Sequence, residues 1–137
     1  MVIIQGGMGV AVSSWRLARA VSLRGQLGVV SGTGIDTIVA RRLQMGDPGG
    51  HLRAAFDAFP VPAIAQRVWE RHYIEGGKTQ GAAYKSKAVP TLKMPRALLD
   101  LIVLSNFAEV YLAKTGHTGK VGINLLEKVH LPNLATL

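Results

Sequence analysis

Two short apolar runs in the first third of the chain each end at a cluster of glycines. Residues 2–4 (Val-Ile-Ile) precede Gln5-Gly6-Gly7-Met8-Gly9, and Leu27-Gly28-Val29-Val30 precedes Ser31-Gly32-Thr33-Gly34. A segment whose apolar residues have helical spacing follows each cluster, which is the pattern of a helix that covers a sheet. The alternation predicts two successive βα units, with strands over residues 2–5 and 27–30 and a glycine-rich turn at the carboxyl end of each strand.

The ends of the two predicted helices are marked by residues suited to those positions. Ser13 or Ser14 can cap the first helix, and Gly25 suits the left-handed residue that ends it. Asp36 lies near the positive end of the second helix, and Gly46 suits its terminus.

The βα pattern is interrupted after the second helix. The sequence Asp47-Pro48-Gly49-Gly50 is a strong turn signal, and a short helix is predicted over residues 63–73, before a loop rich in glycine and lysine. We therefore predict a helical and loop insertion over residues 47–95. The longest periodic segment, 96–114, predicts a helix, and Val121-Gly122-Ile123-Asn124-Leu125 predicts a third strand.

Composition indicates a globular domain and excludes several classes of site. The chain has 137 residues, of which 48% are hydrophobic, and the lack of cysteine excludes disulfides and thiolate chemistry. No apolar run approaches the roughly 18 residues of a membrane span, and no secretory leader is evident, so we expect a cytoplasmic protein without membrane contact.

The net charge of +8 raises the alternative of a small basic module that binds nucleic acid. Most arginines lie in the predicted helices beside apolar residues, and only residues 76–99 carry basic side chains without an acidic one. That segment contains a single aromatic residue, Tyr84, which is too few for a base-stacking platform. A solvated loop is therefore favoured, and no nucleic-acid partner is expected.

The first glycine turn is typical of a cofactor site. Glycines let the backbone approach a flat or anionic ligand, and parallel α/β proteins bind cofactors where strands end. A dinucleotide site is disfavoured because Val12 replaces the third glycine of G-x-G-x-x-G and no acidic residue ends the second strand. A flavin lying across the strand ends needs no such carboxylate.

Three motifs resemble those of the nitronate monooxygenase family. Members of this family are FMN-dependent TIM barrels that were formerly called 2-nitropropane dioxygenases. These motifs occupy residues 2–9, 27–33 and 121–128, and the likeness also covers 47–51 and 106–110. The resemblance implies an α/β fold comprising the first three βα units of a TIM (β/α)8 barrel. Residues 1–137 would be the N-terminal portion of one FMN-binding domain, incomplete because three strands cannot close a barrel of eight, with the 47–95 insertion between the second helix and the third strand.

The resemblance also implies a set of FMN-binding residues. The backbone of Gln5 to Met8, with Gly9, would line the flavin ring, and Asn124 would hydrogen-bond the cofactor. Ser31, Gly32 and Thr33 would lie at the mouth of the site. The alternatives are structural: a tight turn at 5–9, a helix cap at 31–33 and a turn amide at Asn124.

The implied activity is oxidation of a nitronate-like carbon acid, with electrons passing to the flavin N5 and then to O₂. A flavin-dependent enoyl reductase of fatty-acid or polyketide synthesis shares the Gln-Gly-Gly-Met start, and consumption of NAD(P)H with an enoyl thioester would distinguish it. The family's histidine base lies further along the barrel than Leu137, so the catalytic base is unknown, and this chain alone is expected to be inactive and to hold FMN weakly.

The remaining chemistry-bearing residues give no clear site. Glu127 and Lys128 are expected to form a solvated pair after the third strand. No metal is expected, because the spacing of the four histidines matches no metal-ligand pattern. These are His51, His72, His117 and His130.

Overall fold

A computed structural model describes residues 1–89 and 94–126 of the chain. Within these residues the fold is mixed α/β, with five helices and one parallel sheet of two strands. In chain order the elements are α1 (Trp15–Ser22), β1 (Gly28–Ser31), α2 (Ile35–Gln44), α3 (His51–Asp57), α4 (Pro62–His72), α5 (Arg96–Lys114) and β2 (Val121–Asn124).

The sheet follows the predicted parallel order but is smaller than predicted. β1 pairs with β2 in a register that places Gly28 opposite Val121 and Ser31 opposite Asn124. The predicted first strand, residues 2–5, is wrong as a full strand, since it joins β1 only through a parallel bridge between Ile4 and Leu27. It has no neighbour on its other side among the described residues, and Ile4 is 63% exposed, so little packing holds it as a longer strand.

The three helices outside the predicted insertion lie close to where the sequence predicts them. α5 spans Arg96–Lys114 as predicted, and α1 and α2 end before Gly25 and Gly46, both of which have positive φ. Ser14 occupies the N-cap position of α1, but its side chain makes no capping hydrogen bond. The turn signals therefore fix the helix ends correctly, although the capping chemistry differs.

The predicted insertion is more helical than expected. α4 matches the predicted helix over residues 63–73 to within one residue at each end, but α3 was not predicted. The Asp47 carboxylate starts α3 by accepting the N–H groups of Leu52 and Arg53 at 3.0 and 2.9 Å. Both helices bury apolar side chains in the same core as α2 and α5, with Phe56 and Val68 each 3% exposed.

The side chains of the parallel sheet divide between two faces. Val30 and Ile123 lie opposite each other and pack with Ala18 of α1 and Ala113 of α5. Since side chains alternate along a strand, Val29 points to the other face. α1 and α5 pack against the first face of the sheet, and the glycine-rich turns follow directly after Ile4 and after β1.

Candidate cofactor-binding site

Gln5 and Ser13 hold the first glycine turn in place. The Gln5 side chain links this turn to β1, because its Oε1 accepts the Val29 N–H at 3.0 Å and its Nε2 donates to Ser13 Oγ at 3.0 Å. Ser13 is 1% exposed, and its hydroxyl also accepts the N–H of Met8 at 2.8 Å. Two donors converging on one buried hydroxyl give the turn a fixed path over the end of β1.

The glycines of this turn present bare backbone to solvent. Gly6, Gly7 and Gly9 are exposed, and in the described part of the chain their N–H groups donate to no protein acceptor. A Cβ at Gly6 or Gly9 would meet no atom within 4 Å. The turn thus offers three backbone donors to a ligand or to water, whereas the N–H of Met8 is already used by Ser13.

The turn after β1 is tied to both neighbouring segments. The Ser31 N–H donates to the Ser13 carbonyl at 2.9 Å, and Thr33 Oγ1 accepts the N–H of Leu126 at 2.7 Å. The N-cap residue of α2 is Gly34, and no side chain makes a capping hydrogen bond there. Capping of α2 therefore does not account for the serine and threonine in this turn.

Asn124 at the end of β2 lies against the first glycine turn. A Cβ on Gly7 would overlap the Asn124 side chain, with 2.8 Å to its Cβ, so glycine permits their close approach. The Gly32 N–H donates to the Asn124 carbonyl at 2.9 Å, which brings the second turn to the same place. The structure therefore brings together at one end of the sheet the residues that the sequence predicts as a site: Gln5, Gly6, Gly7, Met8, Gly9, Ser31, Gly32, Thr33 and Asn124.

Sequence reasoning missed two buried polar residues that support this end of the sheet. Asn106 of α5 is 1% exposed, donates to the Ile102 carbonyl at 3.1 Å, and lies where a Cβ on Gly32 would be. Ser13 was predicted only as a possible helix cap. For Asn106 the sequence offered one signal: a side-chain amide within the long apolar helix indicates a buried polar group, which must find hydrogen-bond partners.

Glu109 joins three helices beside the site. It is 1% exposed, and its Oε2 accepts the Trp15 N–H at 2.8 Å while its Oε1 forms an ion pair with Arg42 Nη1 at 2.6 Å. It therefore caps the start of α1 from α5, which explains why the Ser14 side chain is not needed there.

The described histidines have separate structural contacts. His51 packs edge-on against Trp15 with ring centroids 5.1 Å apart, and His117 Nε2 lies 2.7 Å from the Ala113 carbonyl oxygen. Burial lowers the pKa of His72 below its ordinary value, and the nearby charges of Arg71 and Lys87 lower it further.

No group of three potential metal ligands occurs within residues 1–89 and 94–126. The predictions for Glu127, Lys128 and His130 lie outside the described residues.

The lysine-rich loop is bound to α2 rather than free. Gln44 is 1% exposed, and its amide donates to the Lys85 carbonyl at 3.1 Å and accepts the Lys85 N–H at 2.7 Å. Lys87 forms an ion pair with the buried Asp36 at 2.6 Å, and two cationic side chains lie within 5.2 Å of the Tyr84 ring centre. These contacts hold the described part of the loop against α2.

Comparison with protein-family models, with curated proteins and with solved structures found no match for this chain. Within the described residues, the helices are all too short or too polar to cross a lipid bilayer. The resemblance to the nitronate monooxygenase family thus stays a prediction from the motifs.

Proposed function

We propose that this chain forms one wall of the FMN site of an oxidoreductase that oxidises nitronate-like carbon acids with O₂. The observation that carries the proposal is the meeting of the Gln5–Gly9 turn and Asn124 at the carboxyl end of parallel segments. Cofactors of α/β proteins bind at this end of the sheet. The flavin would supply the electron acceptor for the substrate and would be reoxidised by O₂.

The residues at this end of the sheet suit both the polar edge and the planar ring of a flavin. The exposed N–H groups of Gly6, Gly7 and Gly9 can donate to ring oxygen and nitrogen atoms, and the open space beside Gly6 and Gly9 admits a planar ligand. Asn124 is exposed and carries both donor and acceptor atoms. Gln5 and Ser13 act as positioning residues, because their side chains bind the turn itself.

The proposal extends to the fold in which this wall would lie. The segment at Ile4, then β1, then β2 lie side by side in chain order and parallel, as successive strands of a TIM barrel do. Ile4 is 63% exposed, and polypeptide outside this chain would cover it in a closed barrel. We therefore expect the isolated chain to bind FMN weakly and to lack activity.

The proposal is tested by the flavin content of the longest protein that can be expressed from the open reading frame containing this chain, rather than of the isolated chain. We expect a yellow protein with one FMN per chain, and loss of that FMN in the Gly6→Val and Gly9→Val variants, whose added side chains enter the ligand space. Ala20→Val adds similar bulk at an exposed position of α1 and should retain the cofactor. A product without flavin, or equal retention in all three variants, would contradict the proposal.

Substrate assays then separate the two flavin-dependent activities. The proposed monooxygenase activity predicts O₂ consumption with an alkyl nitronate and no need for NAD(P)H. Consumption of NAD(P)H with an enoyl thioester, and none of O₂ with the nitronate, would instead assign the enoyl reductase activity while leaving the flavin site intact.

A further inference from the structure

A cavity of about 480 Å³ between α4 and the start of α5 is lined by three arginines. Arg67 and Arg71 lie one turn apart on α4, and Arg96 is the first residue of α5. None of the lining residues belongs to the proposed flavin wall. The volume is in the range of small-molecule sites, so the cavity suits a small ligand better than a macromolecule.

A buried carboxylate orients two of these arginines. Asp100 is 5% exposed, its Oδ2 accepts Arg67 Nη2 at 2.7 Å, and its Oδ1 accepts Arg96 Nε at 2.8 Å. A guanidinium has five N–H donors, so both arginines keep donors after binding Asp100. The two contacts thus direct Arg67 and Arg96 toward Asp100, and these side chains, which are 51% and 74% exposed, keep donors for a ligand.

The charges around the cavity favour an anion. Arg71 forms no ion pair with any residue in 1–89 or 94–126. The other lining carboxylate, Glu70, accepts the Gln66 amide at 2.6 Å. The three lining guanidinium groups outnumber the two lining carboxylates. The amino end of α5 adds the positive potential of the helix dipole, and no acidic residue in its first turn offsets this potential.

We propose that this cavity binds the phosphate group of a small phosphorylated molecule. Arginine forks match phosphate oxygens in paired hydrogen bonds, and several guanidiniums around one cavity can satisfy the terminal oxygens of a tetrahedral anion. Arg71 supplies a charge that has no ion-pair partner in the described part of the chain, while Arg67 and Arg96 supply the donors that their contacts with Asp100 leave unused.

Titration of the chain with inorganic phosphate and with pyrophosphate, followed by amide NMR shifts at about 20 mM salt, tests this site. We expect saturable shifts in α4 and the start of α5. Arg71→Gln should weaken binding roughly tenfold, because Arg71 is the lining arginine that has no ion-pair partner within residues 1–89 and 94–126. Arg71→Lys should also weaken it, since an ammonium cannot form the paired hydrogen bonds of a guanidinium.

Arg24→Gln is the matched control, because it removes the same charge from an exposed residue outside the cavity. Phosphate binding by this variant should stay within about twofold of the parent chain. The proposal fails if phosphate causes no saturable shift, if Arg24→Gln weakens binding as much as Arg71→Gln, or if succinate binds as tightly as phosphate. Urea unfolding of each variant shows whether a loss of binding comes from a loss of folded protein. If Arg71→Gln does not fold, the folded Arg71→Lys variant replaces it in the test: weaker phosphate binding than in the parent chain supports the proposal, and unchanged binding contradicts it.

Discussion

Helices α2 to α5 bury a continuous apolar core, whereas the turn at residues 5–14 buries almost none. Leu43 and Leu104 are completely buried in the helical core, while Met8 and Val12 of the turn are 48% and 59% exposed. The turn is held by backbone and side-chain hydrogen bonds through Ser13 instead. The difference indicates that the helices supply the stability of the fold and that the sheet end is available for binding.

The largest expected effect comes from a cavity in the helical core. Leu104→Ala should lower the free energy of unfolding by about 4 kcal/mol, since it removes a fully buried side chain. Met8→Ala in the turn should change it by less than about 0.5 kcal/mol. Urea unfolding of both variants measures the difference, and equal losses would show that the two regions do not differ as proposed.

Local signals in the sequence predict the helices better than they predict the sheet. Gly25 and Gly46 mark helix ends through backbone conformation alone, and the long apolar pattern fixes α5 from Arg96 to Lys114. α3 was missed because its seven residues are too few for a periodic signal. Its start depends on the Asp47 carboxylate, in a segment that otherwise indicates a turn.

The nearness of the first glycine turn to the end of β2 was predictable because parallel strands share one end, whereas the binding of FMN there stays a prediction from the family resemblance. This rule places the Gln5–Gly9 turn near Asn124 without any knowledge of distances. An amide within an apolar helix indicates that Asn106 needs a partner, but its position near Gly32 was not predictable, because the two residues lie far apart along the chain and meet only in the folded structure. The prediction of a full strand over residues 2–5 was wrong, because an apolar run does not show how many of its residues pair with a neighbouring strand.

Alanine at two glycines compares packing with ligand access directly. A Cβ on Gly28 would collide with the Ala18 backbone, including its Cα at 2.8 Å, so Gly28→Ala should cost about 2 kcal/mol as α1 moves away from β1. Gly6→Ala meets no atom within 4 Å and should leave stability within about 0.5 kcal/mol. Thermal and urea unfolding test this contrast, and a large loss for Gly6→Ala would mean that the turn is part of the stable core.

Acidification should lower the free energy of unfolding through His72, by less than Leu104→Ala or Gly28→Ala does. Burial lowers the pKa of His72 below 6.5, and Arg71 and Lys87 contribute in the same direction. The unfolded chain therefore binds more protons than the folded chain below about pH 6.5, so the free energy of unfolding decreases as pH falls through that range.

Comparing urea unfolding at about pH 7.5 and about pH 5.5 isolates this contribution. His72→Gln should lose less stability on acidification than the parent chain, because the glutamine does not titrate. Arg71→Gln should reduce the loss only in part, since burial is the larger cause of the lowered pKa. If His72→Gln keeps the full pH dependence of the parent chain, other groups carry the response, and His72 is not the acid-sensitive point of the helical core.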